Sequence, residues 1–463
     1  MKKNNINLFL IKRVLFIIIL FIIILFLFLI MFINIIFKYN LKLLYYKNKL
    51  NINIDKDKFL KNICSEIYFY RNIKGDLSNF PIIDKTTINN NKDIFFNKKI
   101  LKIYSSIDSA NNAWTDKKII KNNINYYDFF IYIYNLLSGK AIAHISGGSS
   151  ENYFYQWYTL DEYKKGLYGF VKCWINMGWN YNDKIFIFYF HGANSIKLLN
   201  NIKILNNIYS LSPILDINGD ISIASFNDFI YYLNNYKPDL IVSFPNTIFR
   251  ISQLIYKSKI KLKHIPKCMD LSADFLFTCQ YKFICSIFTN CDIRLSYGTI
   301  EFGQIAQQIP LRMYDYIVFD DIVHVENNVN NNLIVTNYLF TTQPIIRYLT
   351  DDKGIVKYEN NKMIINNLIG KMNSKNINYL EIDKIINDSN FNIINLRIDD
   401  NLNIIYITVL DEDKDESIKK YFVNFFIKYS IVLNYCKENN CITYDRYDRK
   451  NTPILKEYHY KNS

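Results

Sequence analysis

The fold of this chain is decided by residues 333–354, which read LIVTNYLFTTQPIIRYLTDDKG. Of residues 333–337, four are apolar or β-branched, a composition typical of an inner β-strand. The stretch ends in residues 350–354, TDDKG, which predict a polar turn at a strand exit. Adjacent carboxylates at such an exit can accept both hydroxyls of a ribose, as an acidic residue does in other nucleotide-binding folds. A solvated turn without a ligand is the alternative.

The composition indicates a globular protein with one membrane segment. The chain has 463 residues, 50% of them hydrophobic, which leaves room for two or three domains with a substantial core. Residues 14–37 are almost unbroken Ile, Leu and Phe, and as a helix they would span roughly 36 Å. No small-residue cleavage site follows, so we expect an uncleaved single-pass anchor within residues 1–50. Positive charges flank both sides and do not choose its orientation.

The net charge and the cysteine content limit the classes of partner and the cellular compartment that we expect. The net charge of +14 would suit nucleic acid or an anionic membrane surface. However, Lys, Asn, Ile and Tyr are abundant together, which is typical of an AT-biased coding sequence, and no nucleic-acid motif is present, so no nucleic-acid partner is expected. The eight cysteines include no C-x-x-C pair and predict neither a zinc site nor a disulfide framework. Reduced thiols favour the cytoplasmic side for the domain that follows the anchor.

A loop of small residues follows the first clear strand. That strand is predicted over residues 140–145, and Ser146, Gly147, Gly148, Ser149 and Ser150 come directly after it. Such residues let backbone N–H groups and hydroxyls converge on an anion, although a plain turn has the same pattern. The sequence G-K-[ST] and the sequence G-x-S-x-G are both absent from the loop, which excludes a Walker loop and a nucleophile elbow there.

Helices and strands then alternate. Thr159 and Glu162 match a capping box, which predicts a helix that ends at Gly178. His191 follows a strand predicted over residues 185–190 and is a candidate for lining a substrate pocket, the alternative being a histidine bonded only to neighbouring backbone. Repeated βα units predict parallel strands covered by helices, with ligands at the carboxyl ends of the strands. The helices are predicted over residues 226–236, 247–256 and 278–288, and the strands over residues 240–244, 267–271 and 292–297.

The last of these strands ends in residues 297–303, YGTIEFG. This segment offers an aromatic face for a base, a hydroxyl for a phosphate and a hard carboxylate oxygen for a hard cation. Further strands are predicted over residues 316–327 and 333–338, around an Asn-rich turn.

Three segments together resemble the signature motifs of the adenylate-forming ligases (the ANL superfamily), in the branch of the phenylacetate-coenzyme A ligases and CapK-like proteins. Residues 146–150 resemble its T-G-G-S-T-G phosphate loop, residues 297–306 resemble Y-G-S-x-E-x-G-x-I-A, and residues 344–352 resemble P-L-I-R-Y-x-x-G-D, in the same order along the chain. The resemblance implies an α/β fold. A large adenylate-forming core with mostly parallel sheets flanked by helices would occupy residues 51–368, and a small C-terminal α+β lid would occupy residues 369–463.

Within the lid we expect strands over residues 393–398, 403–410 and 442–445 and a helix over residues 418–429.

Residues 50–101 are polar and Asn- and Lys-rich, and they predict an irregular connector with some helix around residues 59–70.

The resemblance also implies roles for single residues. The loop from Ser146 to Ser150 would bind the triphosphate of ATP. Tyr297, beside Gly298, would stack on adenine, Thr299 would approach the phosphate, and Glu301 would hold Mg²⁺. Asp352 would accept the ribose, with Arg347 supporting its loop. Lys456 would be the catalytic lysine that reaches the carboxylate and the α-phosphate, a basic tail being the alternative.

The implied reaction is the activation of a small-molecule carboxylic acid as an acyl-adenylate, followed by transfer to an amine or to a thiol such as coenzyme A. Three positions depart from the family pattern: Glu151 and Asp351 replace glycines, and Ile300 replaces a frequent Thr or Arg. The second hypothesis is therefore a catalytically degenerate, membrane-anchored relative that keeps the fold for binding or assembly.

Overall fold

The computed structural model describes part of the chain. The described residues are Tyr45 and residues 54–91, 94–97, 142–145, 154–188, 203–205, 207–214, 220–299, 301–370, 379–389, 391–399, 403–410, 415–426 and 428–435. Residues 14–37, the predicted anchor, lie outside them. Among the described helices, none has the length and apolar character needed to cross a bilayer.

One large sheet organises the described residues, and a separate hairpin of β1 (Ile142–Ile145) and β2 (Tyr155–Tyr158) precedes it. The strands of the large sheet are β3 (Ile185–Phe188), β4 (Lys203–Leu205), β5 (Ile208–Leu211), β6 (Leu240–Ser243), β7 (Cys268–Ser272), β8 (Asp292–Thr299), β9 (Gly303–Gln308), β10 (Tyr316–Val318), β11 (Val323–Asn327), β12 (Asn332–Asn337), β13 (Tyr348–Glu359) and β14 (Lys362–Ile369).

The large sheet has a parallel part and a larger antiparallel part, and its edge strand β4 also pairs with β5 in the antiparallel direction. Its spatial order is β11-β12-β13-β14-β10-β9-β8-β7-β6-β3-β5-β4. The strands from β5 through β3, β6 and β7 to β8 pair in parallel, as the βα alternation predicts. From β8 to β11 every pairing is antiparallel, so the expectation of mostly parallel sheets is wrong for this half. Most of these pairings join successive strands without an intervening helix, which permits the antiparallel direction, whereas β10 pairs with the more distant β14.

Helices accompany the parallel half and the N-terminal part of the core. They are α1 (Lys56–Glu66), α2 (Lys85–Asn90), α3 (Leu160–Asn176), α4 (Ile223–Tyr236), α5 (Pro245–Lys257) and α6 (Thr278–Ile287). The predicted capping box at the start of α3 is confirmed, since Thr159 and Glu162 bond to each other's backbone. Helix α3 lies very close to β9, because a Cβ on Gly169 would be 2.2 Å from the carbonyl oxygen of Gln304.

The N-terminal segment belongs to the core. The helix expected around residues 59–70 is confirmed by α1. The interpretation of the described part of residues 50–101 as an irregular connector is wrong, because α1 buries Phe59, Leu60 and Ile63. Farther along, the Tyr70 ring is fully buried and contacts Phe80. The polar composition of this segment did not predict its place in the core, because only its few apolar side chains pack there.

A small C-terminal lobe follows, with α7 (Tyr379–Asp388), β15 (Ile393–Asp399), β16 (Ile404–Val409), α8 (Asp415–Val423) and β17 (Ser430–Tyr435). The predicted helix over residues 418–429 corresponds to α8, which ends earlier, at Val423. The unpredicted strand β17 begins at Ser430 and pairs in parallel with β16. Ile431 and Leu433 alternate along β17 and pack against the lobe's apolar cluster, which favours a strand. The strand predicted over residues 442–445 lies outside the described residues.

Residues 333–354, the stretch that decides the fold, contribute to the two strands β12 and β13 and do not end in a turn. Residues 350–354, predicted as a turn, lie inside β13, which continues to Glu359. Its pairing with β14 shifts register between Lys353 and Ile355, so the polar residues occupy an irregular part of a strand with one exposed face.

Candidate functional site

Two of the three motifs meet at one point of the sheet. The Tyr297 hydroxyl, from the end of β8, donates a hydrogen bond of 2.7 Å to Oδ2 of Asp352 on β13. Burial raises the pKa of Tyr297 well above its usual value, and the Asp352 carboxylate raises it further. The phenol therefore stays protonated at neutral pH and acts as a hydrogen-bond donor to the carboxylate.

The irregular register of β13 sets the position of Asp352. Asp352 is half-buried whereas Asp351 is exposed, as expected of neighbours that point to opposite faces of a strand. The Thr350 hydroxyl donates to the Leu333 carbonyl at 3.0 Å and accepts the Asp352 N–H at 3.2 Å. Gly370 lies beside the site, because a Cβ there would be 3.7 Å from Oδ1 of Asp352.

The turn between β8 and β9 holds Glu301. Thr299 pairs with Gly303, so Glu301 lies in the short connection between two antiparallel strands. Gly298 has no space for a side chain, since a Cβ would lie 2.3 Å from Oε1 of Gln304 and 2.4 Å from the Gly303 carbonyl oxygen. This close packing explains why glycine occupies position 298.

The groups that shift the pKa of Glu301 identify its neighbours. Burial raises the pKa of Glu301; its own backbone amide, the Thr299 hydroxyl and the Lys85 ammonium lower the pKa, and the Asp352 carboxylate raises it. The Glu301 carboxylate therefore lies within electrostatic reach of a second carboxylate, that of Asp352, and of the Lys85 ammonium. No group of three or more His, Cys, Asp or Glu side chains arranged for a metal exists in the part of the chain that the structure describes.

Lys85 is a site residue that the sequence reasoning missed. Ile83 pairs in parallel with Tyr348: its N–H donates to the Arg347 carbonyl at 3.0 Å, and its carbonyl accepts the Leu349 N–H at 2.7 Å. Asp84 caps α2, which makes Lys85 the first residue of that helix. No local sequence pattern predicts the pairing of Ile83 with Tyr348, because it joins segments that are far apart in sequence.

Arg347 fastens the N-terminal segment to the sheet. Its Nε donates to Oε2 of Glu326, and its Nη1 donates to the carbonyls of Ser78 and Phe80, each at 2.9 Å. Its backbone is left-handed, with φ of +51°, and its N–H donates to the Thr336 hydroxyl. These bonds connect the N-terminal segment to the sheet. The role of Arg347 in supporting the segment of Asp352 at a nucleotide site stays a prediction.

The buried carboxylate of Glu162 is a second feature that sequence reasoning did not anticipate in full. Besides closing the capping box, its Oε1 accepts the N–H groups of Thr341 and Thr342 at 2.6 and 2.7 Å. The next residue, Gln343, accepts the Trp157 N–H on its Oε1 at 2.8 Å. The strand that follows residues 146–153 is thereby tied to the segment that precedes Arg347.

The remaining predicted site residues lie outside the described residues, and their roles stay predictions. They are Ser146, Gly147, Gly148, Ser149, Ser150, His191 and Lys456, together with the departing positions Glu151 and Ile300. The flanking strands β1 and β2 do pair with each other, Ile145 opposite Tyr155.

Comparison with solved structures identifies the architecture. The chain matches 2-hydroxyisobutyryl-CoA ligase in the postadenylation state with R3-HIB-AMP, with 11% identity over 88% of this chain and 92% of that chain and a TM-score of 0.54. The same ligase with 2-HIB-AMP matches at 11% identity over the same shares, with a TM-score of 0.53. This chain has the fold of the adenylate-forming ligases. No family model matches the sequence, and no curated protein matches it.

The likeness confirms the adenylate-forming fold predicted from the three motifs. At 11% identity it shows the fold alone. The arrangement of Tyr297, Glu301 and Asp352 is independent of that likeness, because it follows from contacts within this chain.

Proposed function

We propose that this chain activates a carboxylic acid with ATP. The observation that carries the proposal is the hydrogen bond between Tyr297 and Asp352. It joins two separated motifs within a fold that is shared with adenylate-forming ligases. Asp352 would accept the ribose hydroxyls and Tyr297 would face the base. Their direct bond orients the carboxylate before a nucleotide arrives, which lowers the cost of ordering on binding.

The charges of the site fit a nucleotide phosphate only with added cations. Glu301 and Asp352 are both acidic, and Lys85 supplies one positive charge beside Glu301. The Glu301 carboxylate and the Thr299 hydroxyl offer hard oxygens, which Mg²⁺ prefers. Magnesium bound there would neutralise phosphate charge, while Lys85 would hold a phosphate oxygen. The loop of Ser146 to Ser150 and Lys456 are proposed to complete the phosphate contacts.

The reaction would have two displacements. A carboxylate oxygen of the acid attacks the α-phosphorus of ATP, the bond to the bridging oxygen of the β-phosphate breaks, and pyrophosphate leaves. A thiol or amine then attacks the acyl carbon, AMP leaves with the bonding electrons, and the acceptor loses its proton to solvent or to a base. Catalysis of this kind depends on positioning and on charge stabilisation.

The finer assignments extend this proposal. Residues 146–150, 297–306 and 344–352 favour the branch of the phenylacetate-CoA ligases and CapK-like proteins, with coenzyme A as the thiol acceptor and His191 at the acyl pocket. The anchor of residues 14–37 would place the catalytic domain at the cytoplasmic face of a membrane, where ATP is available.

Pyrophosphate exchange tests the reaction. The full chain is incubated with ATP, Mg²⁺, labelled pyrophosphate and each member of a panel of aryl and alkyl carboxylic acids. We expect acid-dependent formation of labelled ATP with at least one class, and loss of that exchange in Glu301→Gln. Nucleotide binding without exchange for any acid would instead support the degenerate relative, and absence of nucleotide binding would contradict both.

A further inference from the structure

The C-terminal lobe supplies a helix cap to the core. Helix α6 begins after Phe277, whose side chain offers no acceptor for the first free N–H groups of the helix. Asp383, on α7 of the lobe, fills that role. Its Oδ1 accepts the Thr278 N–H at 2.7 Å, and its Oδ2 accepts the Thr278 hydroxyl at 2.6 Å. A carboxylate at a helix N-terminus also interacts favourably with the helix dipole.

Two further hydrogen bonds accompany the cap, one within α7 and one across the interface between lobe and core. Asn387, one turn farther along α7, donates its Nδ2 to Oδ2 of Asp383 at 2.9 Å. Across the interface, Gln280 donates its Nε2 to Oδ1 of Asn395 at 2.7 Å. Because both oxygens of Asp383 bond to the same residue, a modest rotation of the lobe relative to α6 would break both bonds together.

The surroundings of this cap are apolar. Asp383 is only 4% exposed. Phe277 and Cys279 of the core insert into the apolar cluster of the lobe, beside Ile382 and Ile386. Phe275 stacks on Tyr379 with ring centroids 5.5 Å apart. Apolar contacts tolerate sliding, whereas a buried carboxylate must keep its donors or regain water, so the polar pair selects one orientation.

From these contacts we propose that Asp383 is a latch that holds the C-terminal lobe on α6 in one orientation, and that the lobe leaves α6 only when both bonds to Thr278 break. The latch is a property of the fold and does not rest on the proposed chemistry. It makes lobe movement an all-or-none event, because intermediate orientations would leave a carboxylate and two donors buried without partners.

Energy transfer between two dyes measures the orientation directly. The dyes are placed on unnatural amino acids at two exposed lysines, Lys261 in the core and Lys419 in the lobe, of the full chain. We expect one narrow distance distribution for the wild type. Asp383→Ala should raise the population of other distances at least about tenfold, as loss of charged hydrogen bonds predicts. Thr278→Val, which keeps the backbone donor, should give a smaller increase in the same direction.

Asp388→Ala is the matched control, because Asp388 lies on the same helix and is exposed. It should leave the distribution unchanged. A wild type with several orientations, or an Asp383→Ala chain that is folded by circular dichroism and keeps the wild-type distribution, would overturn the latch. Should Asp383→Ala fail to fold, Thr278→Val decides, and an unchanged distribution in that variant overturns the proposal. No nucleotide is present in the experiment, so failure of adenylation leaves its result intact.

Discussion

Asp352 and Asp383 each accept a hydroxyl from a distant segment, but their surroundings differ. Asp352 bonds to Tyr297 at the candidate site and remains half-buried, with the exposed Asp351 next to it. Asp383 bonds to Thr278 at the interface of the lobe and lies almost fully inside an apolar cluster. The accessible carboxylate can exchange its partner for a ligand at little cost, whereas the enclosed one cannot. We therefore propose that the same kind of bond serves nucleotide binding at Asp352 and orientation of the lobe at Asp383.

The largest expected effect concerns another enclosed carboxylate. Glu162 is 3% exposed and accepts bonds from Thr159, Thr341 and Thr342. Glu162→Ala leaves several buried donors without an acceptor and should lower the free energy of unfolding by about 3–5 kcal/mol. Urea unfolding measures it.

Asp161→Ala is the control for that experiment. Asp161 precedes Glu162 and forms an exposed ion pair with Lys165, so its loss should change stability by less than about 0.5 kcal/mol. Equal effects from the two substitutions would remove the distinction between enclosed and exposed carboxylates.

A pH-dependent effect should follow from Asp270. Burial raises the pKa of Asp270 from 3.8 to about 6, while the hydroxyl of Ser296 and the indole N–H of Trp174 lower it less. The folded state then holds a proton that the unfolded state releases, so the contribution of Asp270 to stability is greatest below about pH 4 and falls as the pH rises to about 6. The total change is about 3 kcal/mol.

Comparison with Asp270→Asn isolates this contribution. The difference in unfolding free energy between wild type and variant should change between pH 4 and pH 7 in the direction that favours the variant at higher pH. A difference that stays constant across this range would show that Asp270 titrates normally.

A smaller effect is expected at Lys85. Lys85→Gln removes the ammonium beside Glu301 and should weaken ATP binding about tenfold, roughly 1.4 kcal/mol, with little change for adenosine, which has no phosphate. Lys58→Gln, on the exposed face of α1, is the control. An equal loss for ATP and adenosine would mean that Lys85 supports the fold and does not contact phosphate.

The parts of the fold that the sequence predicts well depend on local patterns. The capping box of Thr159 and Glu162 and the helices and strands between Ile223 and Thr299 were predicted within a few residues. Each has a hydrophobic period or a cap within its own segment. The motif residues Tyr297 and Asp352 also lie in contact, although the sequence did not predict the hydrogen bond between them.

The predictions that failed concern residues whose structure depends on pairing with segments far along the chain. Asp351 and Asp352 look like a turn by composition, and only pairing of β13 with both β12 and β14 makes them strand residues. The placement of Lys85 follows from the pairing of Ile83 with Tyr348. Secondary structure set by such distant pairing leaves no local signal, because register is decided by the whole sheet.

Calorimetric titration of ATP with Mg²⁺ into the wild type, Asp352→Ala and Asp351→Ala tests the central claim most directly. Asp352→Ala removes a charged acceptor and should weaken binding by about 1.5–3 kcal/mol, or about 10- to 150-fold in Kd. Asp351→Ala, which alters an exposed side chain on the opposite face of the strand, should leave Kd nearly unchanged. Equal effects from both substitutions, or an unchanged Kd in a folded Asp352→Ala chain, would contradict the assignment of Asp352 to the nucleotide.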